Sequence, residues 1–146
     1  MEILNKSFFG IDENGVEKEF LLSELKEPLV LYFYPKDNTP GCTQEACDFR
    51  DNYNRLTAKA TVVGVSPDSI KSHINFQEKH SLNFPLISDP EHILAEAFQV
   101  WKEKSMYGKK YMGIERSTFI IKDGKIANEW RKVNVKGHVD EVLQSL

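Results

Sequence analysis

The run Leu29 to Tyr34, LVLYFY, is apolar or aromatic at every position and stops at Pro35. Side chains alternate between the two faces of a strand, so a strand with no polar face must be covered by other layers on both sides. The run is therefore expected to be a buried, central, parallel strand, with Pro35 ending its pairing. A chain built around such a strand has to place helices above and below a sheet.

The rest of the sequence supplies those layers. The opening FFGIDENGVEKEFLLSEL reads as a hairpin around Asp12-Glu13-Asn14-Gly15, running into a short helical turn at Ser23 to Leu25. From Cys42 to about Lys59, Ala46, Phe49, Tyr53 and Leu56 recur at helical spacing. A second apolar strand, Ala60 to Val65, leads through Ser66-Pro67-Asp68 into a helix from about Ser69 to His80. Phe84 to Ile87 and a turn at Ser88-Asp89-Pro90 precede a short helix, Glu91 to Phe98. Ser117 to Ile121 and Lys125 to Trp130 flank Asp123-Gly124, a strong hairpin signal, before a last helix from His138 to Leu146. Two β-α units followed by a hairpin and a helix give an α/β fold of thioredoxin-like order: a mixed central sheet, helices on both faces and an N-terminal β-hairpin.

The 146 residues, 40% hydrophobic and 28% charged, suit a single domain spanning 1–146. A chain of this length buries roughly two-thirds of its unfolded surface and needs no metal or disulfide to fold. The 19 Lys+Arg against 22 Asp+Glu leave a net charge of −3, which offers no attraction to nucleic acid or to an anionic membrane surface. The start, MEILNKSFFG, has neither the basic nor the apolar region of a signal peptide, so a cytoplasmic location is expected. In that reducing compartment two cysteines are more often chemical than structural.

Both cysteines lie where the buried strand feeds the first helix, in Tyr34-Pro35-Lys36-Asp37-Asn38-Thr39-Pro40-Gly41-Cys42-Thr43-Gln44-Glu45-Ala46-Cys47. Open α/β sheets usually place their chemistry at such a junction. Pro40 biases Thr39 away from helical dihedrals, and Cys42 falls in the first helical turn. There the free backbone N–H groups and the positive end of the helix dipole favour a thiolate. Lowering any thiol's pKa from about 8.5 to about 6 raises its thiolate fraction at neutral pH only about 30-fold, and part of that is lost to weaker nucleophilicity. An efficient reaction of this sulfur therefore needs aligned, charge-stabilising neighbours. Thr39 offers a hydroxyl, and Arg50, Arg55 and Arg116 are the candidate guanidinium groups. Cys47, five residues on, would sit ~7.5 Å along and ~140° around the helix from Cys42. The α-carbons would be roughly 8.6 Å apart, beyond the ~7 Å that a disulfide spans, so pairing requires the helix to unwind.

The run YFYPKDNTPGCTQEACDFRD resembles the active-site segment of the peroxiredoxin Q subfamily, also called bacterioferritin comigratory protein. Pro35-x-x-x-Thr39-x-x-Cys42 fits the general peroxiredoxin motif, and Cys47 the subfamily's second cysteine. GVSPDS at 64–69, FPLISD at 84–89 and GKKYMGIERSTFIIKDGKI at 108–126 resemble its other blocks, so the likeness spans Ile3 to Leu143. The resemblance implies that Cys42 is the peroxidatic and Cys47 the resolving cysteine. It also implies that Arg116 stands against the thiolate, that Thr39 is its hydroxyl partner and that Pro35 shields the pocket. It further implies reduction of hydrogen peroxide and organic hydroperoxides, re-reduction by thioredoxin and, as often in the family, a monomeric state; no cofactor and no metal are expected.

Two rival functions fit the cysteines less well. A thioredoxin-like dithiol oxidoreductase would be expected to carry Cys-x-x-Cys, whereas the spacing here is Cys-x₄-Cys. A non-enzymatic redox sensor would react once per signal instead of turning over. Cys47 as a mere core residue, Thr39 as a helix cap and Pro35 as a strand stop are the structural alternatives. His73, His80, His92 and His138 show no ligand spacing with either cysteine and are read as surface or capping residues. Trp101 and Trp130 are read as core or rim packing.

Overall fold

A computed structural model describes residues 1–146. After a short 3-10 helix at Glu2–Asn5 comes the expected hairpin, β1 (Ser7–Ile11) and β2 (Glu17–Leu21), which pair antiparallel. Its turn is closed by Asp12 Oδ1, which accepts from the N–H groups of Asn14 and Val16. There follow β3 (Leu29–Phe33), α1 (Pro40–Asp51), α2 (Tyr53–Thr57), β4 (Thr61–Ser66), α3 (Ile70–His80) and β5 (Leu86–Ser88). The remainder is α4 (Ile93–Ala97), β6 (Trp101–Met106), β7 (Lys109–Ile114), β8 (Ser117–Lys122), β9 (Lys125–Trp130) and α5 (His138–Gln144).

Seven strands form one sheet in the order β2-β1-β5-β4-β3-β8-β9. All five residues of β3 are buried, as its composition requires. It runs parallel to β4 on one side and antiparallel to β8 on the other, so the expected parallel character holds on one side only. Its alternation sorts the core into two layers. Val30, Tyr32 and Tyr34 join Ala46, Phe49, Leu56, Phe76, Val139 and Val142, from α1, α2, α3 and α5, on one face. Leu29, Leu31 and Phe33 join Leu94, Ala95, Phe98, Val100 and Ile114 on the other. Each such side chain, fully buried, contributes roughly 1.5–3 kcal/mol relative to exposure, which is why the run can occupy only the centre of the sheet.

The structure changes the sequence reading in three places. The helix expected from Cys42 to Lys59 begins two residues earlier, at Pro40, and breaks at Asn52. There the Asn52 side-chain amide donates to the Asp48 carbonyl, competing with the helical ladder. The short helix after Pro90 shrinks to Ile93–Ala97, because His92 takes a left-handed conformation and the Asp89 carboxylate accepts from the N–H groups of Leu94 and Ala95. A separate two-stranded ribbon, β6 with β7, was not expected at all. No helix is long and apolar enough to cross a membrane.

Candidate active site

Cys42 lies at the junction of β3 and α1. Thr39 precedes the helix with extended backbone, and Pro40 starts it. Proline suits that place because it has no N–H to leave unpaired and its φ is already helical. Gly41 and Cys42 follow in the first turn, where backbone N–H groups lack helical acceptors and favour an anion. The Cys42 side chain belongs to the core cluster that also holds Tyr32, Tyr34, Ala46 and Phe49, and the residue is 1% exposed.

Sheet topology brings the guanidinium to it. Phe33, at the end of β3, pairs with Ser117, at the start of antiparallel β8, so the residue just before Ser117 stands at the same sheet end as the β3-α1 junction. That residue is Arg116. Its Nη2 lies 3.2 Å from Cys42 Sγ and its Nη1 2.7 Å from Glu45 Oε1. A Cβ on Gly41 would fall 3.2 Å from Arg116 Nη2, so the bare backbone at 41 leaves room for the guanidinium. Of the three arginines the sequence leaves open, Arg50 instead pairs with Asp51 and the His80 carbonyl, and Arg55 with Asn52.

Glu45 escaped the sequence reading. Its carboxylate is completely buried, Oε1 is held by Arg116, and Oε2 has no hydrogen-bond partner. Burial pushes its carboxyl up to about 7, against the pull of the neighbouring Arg116. For Arg116, burial opposes the charge, but Glu45 and the Cys42 sulfur outweigh it and raise the pKa. The arginine thus stays cationic while its carboxylate partner is easily neutralised. Spacing could have found Glu45, since it lies three residues after Cys42 on the helix face that carries Phe49.

The remaining expected residues are less tightly gathered. Thr39 Oγ1 donates to the Lys36 carbonyl at 2.9 Å, which ties down the loop, and it neither caps α1 nor bonds to the sulfur. Pro35 is half-buried where the chain leaves β3. Cys47 is half-buried on the same unbroken helix as Cys42, and both are free thiols.

Two histidines overturn the surface reading. His73 and His138 are buried, at 0% and 2% exposure. His138 Nε2 lies 2.7 Å from Thr118 Oγ1, and burial, aided by Arg116, pushes its pKa down to about 4, so it is neutral at pH 7. His73, Asp37 and Asp68 bring potential ligand atoms within 4.8 Å of one another. Hydrogen bonds occupy both oxygens of Asp37, Oδ2 of Asp68 and both ring nitrogens of His73, so the cluster is a polar network within the fold.

Arg116 polarising a buried sulfur at a helix N-terminus is an arrangement for nucleophilic attack by sulfur with charge developing beside a cation. The AhpC/TSA family model matches residues 6–129. Peroxiredoxin Bcp of Bacillus subtilis is 62% identical over 120 residues, covering 81% of this chain and 76% of that one. A cysteine-to-serine mutant of Xanthomonas campestris peroxiredoxin Q superposes with a TM-score of 0.90 at 42% identity, covering 98% of this chain and 90% of the other. A X. campestris bacterioferritin comigratory protein, studied for its alkyl peroxide reduction activity, gives 0.85 at 44% identity over 94% and 88% of the two chains. With its thioredoxin-like fold, the chain belongs to the AhpC/TSA family, in the branch of the peroxiredoxin Q or bacterioferritin comigratory proteins.

Proposed function

We propose that the 146 residues act as a single-domain, monomeric, cytoplasmic thiol peroxidase with Cys42 as its nucleophile. The observation that carries this reading is the 3.2 Å contact of Arg116 Nη2 with Cys42 Sγ, on a chain belonging to a peroxidase family. The Cys42 thiolate attacks the terminal oxygen of a hydroperoxide. The S–O bond forms as the O–O bond breaks, sulfur loses two electrons and becomes a sulfenic acid, and the alkoxide or hydroxide leaves and takes up a proton. Arg116 and the free N–H groups of the first turn of α1 stabilise the charge that grows on the departing oxygen. Thr39 can turn its hydroxyl to the bound peroxide once it releases the Lys36 carbonyl, and Pro35 closes the loop over the site.

Cys47 then attacks the sulfenic sulfur. A disulfide forms, and the hydroxyl leaves with the thiol proton as water. Because both residues lie on an intact helix, α1 must unwind for this step. A dithiol protein of the thioredoxin kind reopens the disulfide by exchange and closes the cycle.

The test is consumption of hydrogen peroxide and of an alkyl hydroperoxide by substoichiometric protein, supplied with thioredoxin, its reductase and NADPH. Many equivalents should disappear per chain. A single equivalent, with no further turnover, would leave the chain as a sensor.

A further inference from the structure

The loop between β3 and α1 is fastened at one residue far more strongly than anywhere else. Asp37 is 4% exposed and lies five residues before Cys42. Its Oδ1 accepts from the Tyr34 hydroxyl at 2.7 Å, and its Oδ2 from the Ser72 hydroxyl at 2.8 Å. Its backbone N–H donates to Asp68 Oδ2 at 2.8 Å, and that carboxylate also takes the Ser66 hydroxyl. His73 completes the arrangement: Nδ1 is 2.7 Å from Asp37 Oδ2 and Nε2 is 2.9 Å from the Ile87 carbonyl.

A carbonyl only accepts, so Nε2 carries a proton and donates it to Ile87. A second proton lies between Nδ1 and Asp37, since two bare acceptors in such close contact would repel. The pair is neutral overall whichever atom holds that proton, which lets it stay buried. Through these bonds Asp37 is tied to the end of β3, to the loop after β4, to α3 and, by way of His73, to β5. On the far side of the cysteines, Phe49 is fully buried, its ring 4.4 Å from Tyr32 and 6.3 Å from Phe84. Cys42 and Cys47 lie between these two fixed points.

We propose that Asp37 and His73 are positioning residues that set the upstream limit of the segment that unwinds when Cys42 and Cys47 pair. The rearrangement is confined to residues 38–48, between the Asp37 anchor and Phe49. Tyr34, Pro35 and Asp37 hold their places through the cycle, so the site reassembles around Cys42 once the disulfide is reduced. This rests on the disulfide step proposed above.

The Asp37 amide, bonded to Asp68, is a direct reporter. Hydrogen exchange of the full chain, resolved by NMR, is compared between the dithiol and disulfide forms. In the wild type the disulfide should speed exchange across residues 41–48, while the Asp37 amide changes by less than about twofold. Ser72→Ala removes one bond to Asp37 and should speed its exchange about threefold in the disulfide form, and His73→Phe at least about tenfold, with a smaller acceleration in the dithiol form, where the intact helix still backs the loop. A merely structural role would speed exchange equally in both forms. Ser72→Ala carries the test alone if His73→Phe does not fold. Equal acceleration in both forms, or loss of Asp37 protection in the oxidised wild type, overturns the inference while leaving the disulfide intact. A mass spectrum without the disulfide sinks the underlying reading and the inference together.

Discussion

The two cysteines share one helix but not one kind of environment. Cys42 is 1% exposed, lies in the core cluster of Tyr32 and Phe49 and is contacted by Arg116, which is itself braced by Glu45. Cys47 is half-buried, and no hydrogen bond engages its sulfur. The first is built into the resting structure; the second has no site there. A residue that acts only after a conformational step needs no preformed pocket, and the fold provides none for it.

Four substitutions test that contrast. The largest effect should come from Cys42→Ser, which removes the nucleophile and should abolish peroxide consumption, measured as a fall of at least about 10³-fold in the second-order rate constant. Next, Arg116→Ala should lower the same constant about 10²- to 10³-fold by stopped flow, because it removes a preorganised cation from the developing charge. If the loss were under about tenfold, the built environment of Cys42 would owe little to Arg116.

Glu45→Gln should have a smaller effect, about tenfold on rate, since Arg116 would lose its ionic brace but keep its place. Its stability effect should run the other way. Native Glu45 keeps its proton up to about pH 7, whereas an unfolded glutamate loses it near 4.5. The native state therefore binds more protons between those values, and this group's contribution to stability falls as pH rises from about 4.5 to about 7, by about 3 kcal/mol at most. Glutamine removes that slope, so Glu45→Gln should be more stable than the wild type in urea at about pH 8 and nearly equal to it at about pH 5. The smallest effect on the peroxide step should be that of Cys47→Ser, within about twofold. That variant should form no internal disulfide and should overoxidise to sulfinic acid under excess peroxide. A large loss in its first step would mean that Cys47 belongs to the resting site after all.

What the sequence revealed follows from where the physical signal is local. β3 is legible because five consecutive residues are buried. The β8-β9 hairpin is legible because Asp123 and Gly124 take the positive φ that their turn needs. The β6-β7 ribbon escapes notice because Lys102, Glu103, Lys109 and Lys110 are exposed and break any apolar alternation. Its one cue is Tyr107-Gly108, whose φ values of 52° and 76° suit the same kind of turn. His73 defies the surface reading although it lies three residues after Ile70 and three before Phe76, on the buried face of α3; a polar residue on an apolar stripe signals a buried network. Arg116 cannot be chosen from local sequence, because only the antiparallel pairing of β3 with β8 brings it to Cys42.

The most direct measurement is the mass of the tryptic peptide spanning residues 37–50, which carries both cysteines, after one equivalent of hydrogen peroxide. Loss of two hydrogens, reversed by a dithiol, is the predicted result: an internal disulfide that an intact α1 could not hold. A sulfenic or sulfinic acid on Cys42 with Cys47 still a thiol would contradict it.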